Sequence, residues 1–224
     1  MLERVWQRVG RARRVTRVAI ATDDARIYEA ARSFGAEVYM TDPAHPSGTD
    51  RVAEVAARLE AGVIVNVQGD EPFIEPAAID QAVEPLLAGE GIVISTLKTR
   101  FRNPAEAADP NIVKVVTDLK GNALYFSRLP IPFVREPPEA GGLAMFKHWF
   151  KHLGLYVYDR DFLLGYSRLP RGPLEAAEKL EQLRALENGY PIRVVETAGD
   201  SVGVDTEDDL ARARTLALED EQHV

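Results

Sequence analysis

The segment of residues 63–76 reads VIVNVQGDEPFIEP, and the α/β interpretation of the whole chain starts from it. Its first five residues are apolar except for Asn66, as expected of a strand buried on both faces of a sheet. The apolar run ends in QGDEP, so polar groups follow the strand at its carboxyl end. Ligands of open α/β sheets bind at that end, where Asp70 is well placed to hold a divalent cation against phosphate oxygens. The same letters are equally typical of a plain turn.

Length and composition predict a single globular domain. The 224 residues are 46% hydrophobic and 28% charged, which is ordinary for one sizeable core. No apolar run approaches the roughly 20 residues needed to cross a bilayer. The amino-terminal MLERVWQRVGRARR also lacks the continuous apolar core of a secretory signal. We therefore expect one domain over residues 1–224 and no membrane partner.

Cysteine content and charge narrow the function classes. The chain has no cysteine, which excludes disulfides and Cys-ligated zinc and agrees with a cytoplasmic location. A formal net charge of -8 argues against bulk nucleic-acid binding. The basic cluster of Arg11, Arg13, Arg14 and Arg17 is the local exception, and we interpret it as a solvated helix end.

Strand and helix patterns alternate along the chain, which predicts a Rossmann-like α/β fold. An amphipathic helix comes first, with Leu2, Val5, Trp6 and Val9 on one face. Strands are predicted at residues 17–21, 37–40, 63–67, 92–97, 111–118, 123–128, 152–158 and 192–196. Helices are predicted around residues 27–34, 52–59, 77–87 and 174–186, with a last one after residue 206. Gly121 and Asn122 signal a hairpin, so the sheet is mixed, mainly parallel, with helices on both faces.

Two further patterns place polar residues where a ligand could bind. Ser47 with Asp50 three residues later forms a variant capping box, which puts Gly48 in a first helical turn with free N–H groups. A plain N-cap is the alternative interpretation. His152 and Tyr156 share one face of a strand by its period of two, although a lone His on a strand is more often structural.

The carboxyl-terminal third is ambiguous from pattern alone. In the predicted helix 174–186, Glu181 and Gln182 lie beside the apolar stripe, which favours solvated surface groups. Asp205 immediately precedes a second variant capping box, Thr206 with Asp209, where an acid more commonly complements the helix dipole. Residues 129–151 begin with a segment rich in Pro, Gly and Glu, typical of a flexible loop or of an arm that packs on a second subunit.

The segment VNVQGDEPFI at residues 65–74 closely resembles the signature of 3-deoxy-manno-octulosonate cytidylyltransferases, also called CMP-Kdo synthetases. Six more segments resemble this family, in its order, between residues 45 and 210: HPSGTDR, NIVKVV, ALYFSRLPIP, KHLGLYVY, LEAAEKLEQLRALENG and GVDTEDDL. The resemblance implies a nucleotidyltransferase fold and a homodimer. It also implies transfer of CMP from CTP to the anomeric hydroxyl of the acidic sugar Kdo, with release of pyrophosphate, for lipopolysaccharide synthesis.

Site residues follow from the same resemblance. Asp70 and Asp205 match the carboxylates that bind Mg²⁺, and with Arg128 they form the implied catalytic set. The implied nucleoside-binding residues are Ser47, Gly48, Asp50, Arg51 and Gln68. The implied sugar pocket consists of Arg128, His152, Tyr156, Glu181 and Gln182. A guanidinium suits the Kdo carboxylate, so Arg128 is its expected partner.

The sequence departs from the family pattern at its amino terminus. Family members begin with a buried strand and a PARxxSxRLPGKPL loop that grips the triphosphate, ahead of the helix that starts here at Leu2. We expect either an internal methionine start or a truncated, inactive binding domain. Residues 1–224 expressed alone are then expected to be poorly soluble or partly unfolded, without detectable cytidylyl transfer. A cytidylyltransferase for another acidic sugar, such as an amino-Kdo analogue or a sialic acid, is the alternative activity.

Overall fold

The computed structural model describes residues 1–136, 147–200, 203–204 and 206–221. In chain order, its helices and strands are α1 (Leu2–Val9), β1 (Ala19–Thr22), α2 (Ala25–Ser33), β2 (Glu37–Met40), α3 (Gly48–Ala56), β3 (Val63–Asn66), α4 (Pro76–Leu87), β4 (Ile94–Arg100), α5 (Pro104–Ala108), β5 (Lys114–Thr117), β6 (Ala123–Ser127), β7 (Phe150–Asp159), α6 (Arg160–Tyr166), α7 (Pro173–Glu178), α8 (Leu183–Glu187), β8 (Arg193–Glu196) and α9 (Glu207–Glu221). The predicted alternation of strands and helices is confirmed, and most boundaries move by one to four residues.

The strands of the described residues form a two-stranded and a six-stranded sheet. β1 and β2 pair in parallel, while the larger sheet has the order β6-β5-β7-β4-β8, with β3 also paired to β7. β7 pairs along its length with β4 on one side, and with β3 and, at Lys151, β5 on the other. This long strand therefore holds the larger sheet together.

The mixed sheet is confirmed, but its pairing is less parallel than predicted. β3, β4, β5 and β8 run in one direction, whereas β6 and β7 run in the other. Because β7 inserts between β3 and β4, which share a direction, both of its neighbours there become antiparallel. Together with the β5–β6 hairpin and the β5–β7 pairing, this makes four of the six strand pairings among the described residues antiparallel.

Helices cover both faces of the larger sheet, as predicted. Adjacent residues of β7 point to opposite faces, and Val157 and Tyr158 belong to different hydrophobic clusters. The cluster around Tyr158 includes residues of α3, α6 and α8, whereas the cluster around Val157 includes residues of α1 and α4. Each face thus has a core of its own.

The predicted helix 174–186 is wrong, because the chain there forms two short helices. α7 ends at Glu178, and the next residue, Lys179, has a left-handed backbone conformation (φ 54°) that stops the helix. Leu180, Glu181 and Gln182 then connect it to α8. A buried ion pair joins the two helices, with Arg184 Nη2 2.6 Å from Glu175 Oε1. Lysine at this position carries no signal of a helix end, since glycine is the usual residue in this conformation.

Two other predicted segments are placed as follows. The basic cluster is exposed, as predicted, but it follows α1 instead of ending it, and Arg14 and Arg17 form ion pairs with Glu84 and Glu37. Of the predicted arm at 129–151, residues 137–146 lie outside the described part of the chain, and the last two residues belong to β7. Within the described ranges, no helix has the length and apolar character needed to cross a membrane.

Candidate active site

The amino end of α3 contacts the connection between α7 and α8. Ser47 caps α3, its Oγ accepting a hydrogen bond from the N–H of Asp50 at 3.2 Å. The same Oγ lies 2.7 Å from Asp50 Oδ2 and 3.0 Å from Glu181 Oε1. Thr49 donates to the second oxygen of Glu181 at 3.1 Å. Part of the implied nucleoside-binding set therefore touches part of the implied sugar pocket.

Glu181 and Gln182 are not the solvated groups that the helical pattern favours. Gln182 is only 8% exposed, and Glu181 is partly buried. Burial raises the pKa of Glu181, while hydrogen bonds from Ser47 and Thr49 act in the opposite direction. The break at Lys179 causes this difference, because it turns both side chains out of the helical register that the sequence predicts.

Gln68 and Gly48 lie on another side of this cluster. The Gln68 amide donates to Asn66 Oδ1 at 3.2 Å, and a Cβ on Gly48 would lie 3.5 Å from that amide. Asn66 is 4% exposed and pairs with Tyr156 across β3 and β7. Sequence analysis noted Asn66 as the one polar residue of a buried strand without giving it a role.

His152 and Tyr156 share a face of β7, as predicted, with ring centroids 5.3 Å apart. A regular strand would separate their Cα atoms by about 13 Å. A β-bulge between Thr96 and Leu97 of β4 brings them closer, because Tyr156 lies opposite Thr96 and His152 opposite Lys98. Two residues of β4 span only roughly 7 Å. The contact between the rings thus depends on the bulge and not on the period of two alone.

The Tyr156 hydroxyl has an unusual environment. Its oxygen is buried and has no hydrogen-bond partner among the described residues. Burial raises the pKa of Tyr156, with a further contribution from the nearby Glu181, so the hydroxyl stays protonated. Buried polar groups without a partner are rare in native proteins and costly, so this hydroxyl is suited to a bound polar ligand.

Arg128 lies just beyond the end of β6, two residues after Phe126, whose ring meets the His152 ring at 5.1 Å. Its Nε donates to the main-chain oxygen of Glu178 at 2.8 Å, and its Nη1 donates to that of Pro110 at 3.0 Å. These bonds orient the guanidinium from two loops. The other N–H groups of the fork make no hydrogen bond within the described residues, which leaves them for a ligand.

Arg51 is the implied site residue that the structure separates from this cluster. Its guanidinium donates to Thr41 Oγ1 at 2.5 Å and to Asp23 Oδ2 at 2.9 Å. Those two residues follow β2 and β1, so Arg51 links α3 to the smaller sheet. Its neighbour Asp50 is 8% exposed and stays at Ser47.

Asp70 lies in the turn after β3. Its main-chain oxygen accepts a hydrogen bond from the N–H of Val204 at 3.0 Å, so the chain returns to this turn just before residue 205. Asp205 itself lies outside the described residues. Carboxylate oxygens are the hard donors that Mg²⁺ prefers, so the donor type at Asp70 fits that ion. In the parts of the chain that the structure describes, no three His, Asp or Glu side chains are grouped to hold a metal.

Three residues of this site are not predicted from the sequence. Thr49 and Thr96 contact Glu181 and His152 respectively, and Glu178 holds Arg128 through its main-chain oxygen and its carboxylate. Thr96 is a polar residue in a predicted apolar strand, which was an available signal. Thr49 and Glu178 lie within the HPSGTDR and LEAAEKLEQLRALENG segments, but their contacts join distant parts of the chain and leave no local pattern.

The mixed sheet, with polar residues at the carboxyl end of β3, defines a nucleotidyltransferase fold. A solved structure described as CMP:2-keto-3-deoxy-manno-octonic acid synthetase complexed with CTP has this fold, with a TM-score of 0.89 and 39% identity, covering 98% of this chain and 88% of that one. A 4-diphosphocytidyl-2C-methyl-D-erythritol synthase from Anaerococcus prevotii shares the fold alone, with a TM-score of 0.61 and 12% identity over 97% and 88% of the two chains.

Relatives by sequence identify the family. The family model described as cytidylyltransferase matches residues 1–198, and the chain belongs to this family. The 3-deoxy-manno-octulosonate cytidylyltransferase of Solibacter usitatus is 59% identical over 96% of this chain and 83% of its own length. The protein of that name from Geobacter sulfurreducens is 54% identical over 95% and 86%. The resemblance found in the sequence is confirmed.

Proposed function

We propose that the protein transfers CMP from CTP to the anomeric hydroxyl of 3-deoxy-manno-octulosonate, giving CMP-Kdo and pyrophosphate for lipopolysaccharide synthesis. The observation that carries the proposal is the likeness, over 98% of the chain, to a synthetase of this sugar solved with CTP. The names of relatives that are 54% and 59% identical support it.

The sugar binds against β7 and the connection between α7 and α8 in this proposal. Arg128 pairs with the sugar carboxylate through the N–H groups that the two loops leave open. Tyr156, with its buried and unpartnered hydroxyl, binds a sugar hydroxyl, as do His152 and Glu181. Gln182, which is 8% exposed, completes the pocket wall.

The nucleoside binds at the amino end of α3. Ser47 and Gly48 present the first turn of the helix, and the Gln68 amide next to Gly48 is suited to hydrogen bonds with the base or ribose. Asp50 holds Ser47 in place. Arg51 contributes by joining this turn to the smaller sheet.

The reaction is an in-line displacement at phosphorus. The anomeric oxygen attacks the α-phosphorus, the bond from that phosphorus to the bridging oxygen breaks, and pyrophosphate leaves with the electron pair while the hydroxyl proton passes to solvent. Asp70 and Asp205 are the residues proposed to hold Mg²⁺, which would supply positive charge next to the phosphates when bound. The pocket residues orient the sugar oxygen for attack.

The test is pyrophosphate release from CTP, with the sugar product identified by mass spectrometry. We expect turnover with Kdo and Mg²⁺, and near-complete loss in Asp70→Asn with an unchanged unfolding midpoint. Asp161→Asn is the matched control, since the Asp161 side chain is 92% exposed on α6. Removing Mg²⁺ with a chelator should stop the wild-type reaction and leave the fold intact.

Three outcomes would contradict parts of the proposal. Turnover of a sialic acid or an amino-Kdo analogue in preference to Kdo would move the activity to another acidic sugar. CTP binding without turnover of any of these sugars would identify a binding domain. Full activity in Asp70→Asn would overturn the assignment of the metal ligand.

A cytoplasmic location and a homodimer are further parts of the proposal. The absence of cysteine agrees with a reducing compartment. The exposed side chains of Leu129 and Phe133, 69% and 88% accessible, lie in the segment predicted to pack on a second subunit. Light scattering after size-exclusion chromatography, with Phe133→Ser as the variant, tests the dimer. A monomeric wild type would contradict it.

A further inference from the structure

Thr96 lies at the centre of the larger sheet and contacts His152. It is fully buried on β4, opposite Tyr156. Its hydroxyl oxygen is 2.9 Å from His152 Nε2, 2.7 Å from the main-chain oxygen of Leu155 and 3.2 Å from that of Leu153. The two carbonyl groups face Thr96 because the β-bulge inserts Gly154 and Leu155 into β7 and interrupts the ladder there.

The hydrogen bonds of the Thr96 hydroxyl determine the tautomer of the His152 imidazole. A threonine hydroxyl has one proton to donate and two lone pairs that accept, whereas a carbonyl oxygen only accepts. The shortest contact, to Leu155, therefore takes the Thr96 proton. The Thr96 oxygen is left as an acceptor towards His152, so Nε2 carries the proton. Burial lowers the pKa of His152 to about 3, so the ring is neutral at pH 7 and its Nδ1 is an unprotonated acceptor.

We infer that Thr96 is a positioning residue that holds His152 in its Nε2–H tautomer, so that Nδ1 accepts a hydrogen bond from a sugar hydroxyl. This inference rests on the proposed function for its ligand. Among the described residues, Nδ1 has no hydrogen-bond partner, and the adjacent Tyr156 ring carries a protonated hydroxyl that also has none. The site thus offers one acceptor and one donor on neighbouring rings.

Together, Nδ1 of His152 and the Tyr156 hydroxyl distinguish ligand groups by whether they donate hydrogen bonds, accept them or do both. A sugar hydroxyl both donates to Nδ1 and accepts from the Tyr156 hydroxyl, so it satisfies both groups at once. A protonated amine donates but cannot accept, and a carbonyl or ether accepts but cannot donate. An amine leaves the buried Tyr156 hydroxyl unpaired, and a carbonyl or ether leaves Nδ1 of His152 unpaired, so a hydroxyl is favoured over both. Through Nδ1, Thr96 therefore favours a hydroxyl over a carbonyl or ether.

The first test measures the tautomer directly. In the full chain with ¹⁵N-labelled histidine, long-range ¹H–¹⁵N spectra at pH 7 report which ring nitrogen carries the proton. The chain has four histidines, and the signal that is lost in His152→Gln is assigned to His152. We expect the Nε2–H tautomer for His152 in the wild type and in Thr96→Ser, which keeps the hydroxyl. Thr96→Val should populate the Nδ1–H form. An Nδ1–H or imidazolium ring in the wild type would overturn the inference, and that result needs no variant.

The second test connects the tautomer to the sugar. We expect Thr96→Val to raise the KM for Kdo about tenfold, equal to about 1.4 kcal/mol, with the KM for CTP unchanged and Thr96→Ser close to wild type. The amino analogue, which can only donate, loses its contact with Nδ1 in the same variant, so its KM should rise as well. An unchanged Kdo KM in Thr96→Val with an altered tautomer would overturn the role in sugar recognition. If the proposed function fails, Kdo is not turned over by the wild type, while the tautomer measurement still stands.

Discussion

His152 illustrates how the environment of a single residue sets its chemistry. Its pKa falls to about 3 because burial disfavours the charged ring, whereas the unfolded chain has the ordinary value of about 6.5. Between these values the unfolded state binds one proton more than the folded state. Stability should therefore be lost as the pH falls from about 6.5 to 3, by up to about 1.4 kcal/mol per pH unit from this residue.

His152→Gln isolates this contribution. Urea unfolding of both proteins from pH 7 to the lowest pH at which they stay folded should show a smaller loss of stability in the variant. Titrating carboxylates contribute equally to both proteins, so the difference between them reports His152. Parallel pH profiles for the two proteins would mean that His152 has the same pKa in the folded and the unfolded state.

The proposed role of Arg128 in sugar binding can be separated experimentally from nucleotide binding. Its guanidinium is oriented by the main-chain oxygens of Glu178 and Pro110. Arg128→Ala should raise the KM for Kdo by a factor corresponding to about 1.5 to 3 kcal/mol, because a charge-assisted bond to the sugar carboxylate is lost. The KM for CTP should change little. Kinetics with each substrate varied separately measure both effects.

Arg128→Lys is the matched variant for this experiment. Lysine keeps the charge but cannot bond both loops and the carboxylate in a fixed fork, so we expect an intermediate Kdo KM. A loss confined to CTP, or equal for both substrates, would place Arg128 elsewhere in the site.

The break between α7 and α8 matters because it points Glu181 at α3. The Glu175–Arg184 ion pair holds the two helices together, with side chains 10% and 4% exposed. Arg184 also lies over the Tyr166 ring, 5.1 Å from its centroid. Glu175→Gln leaves a buried guanidinium without its carboxylate and should cost about 3 to 5 kcal/mol of unfolding free energy. Urea denaturation measures this loss.

A double-mutant cycle completes the measurement. Glu175→Gln with Arg184→Met removes both charges and should cost less than the sum of the single variants. Glu37→Gln is the control, because its ion pair with Arg17 is exposed and should contribute far less. Additive single and double variants would mean that the buried pair does not couple α7 to α8.

At the level of the whole molecule, the two sheets differ in how firmly they are held. β4 and β7 lie between two cores and carry Ile94, Leu97 and Val157, all with 0% exposure. β1 and β2 are four residues each and pack on a cluster with three buried residues, Ile20, Ala31 and Ala36. Two-stranded sheets with little buried surface are only marginally stable by themselves.

Native-state hydrogen exchange should therefore show different protection of the two sheets. We expect amides of β4 and β7 to exchange only on global unfolding, and amides of β1 and β2 to exchange through local opening of lower free energy. Mass spectrometry of peptides from each strand at increasing urea measures both. Addition of CTP should protect the smaller sheet if Arg51, which links α3 to it, transmits binding. Equal protection in the two sheets without ligand would contradict this division.

Local patterns were sufficient for the order of helices and strands, for the cap at Ser47 and for the family. Each of these depends on residues a few positions apart, such as the helical spacing of Leu2 and Val9 or the VNVQGDEPFI segment, so their signals are present in a short window of sequence. Candidate site residues came from the family resemblance, since pattern alone favoured solvated positions for Glu181 and Gln182.

Contacts between distant segments decided the rest. The insertion of β7 between β3 and β4 made both of these pairings antiparallel, and its bulge brought the His152 and Tyr156 rings together next to Thr96. The left-handed backbone conformation of Lys179 directs Glu181 towards Ser47. Arg51 points away from this cluster and binds Asp23. None of these features follows from local periodicity. Each is stabilised by residues far away in the sequence, which come into contact only when the two cores pack.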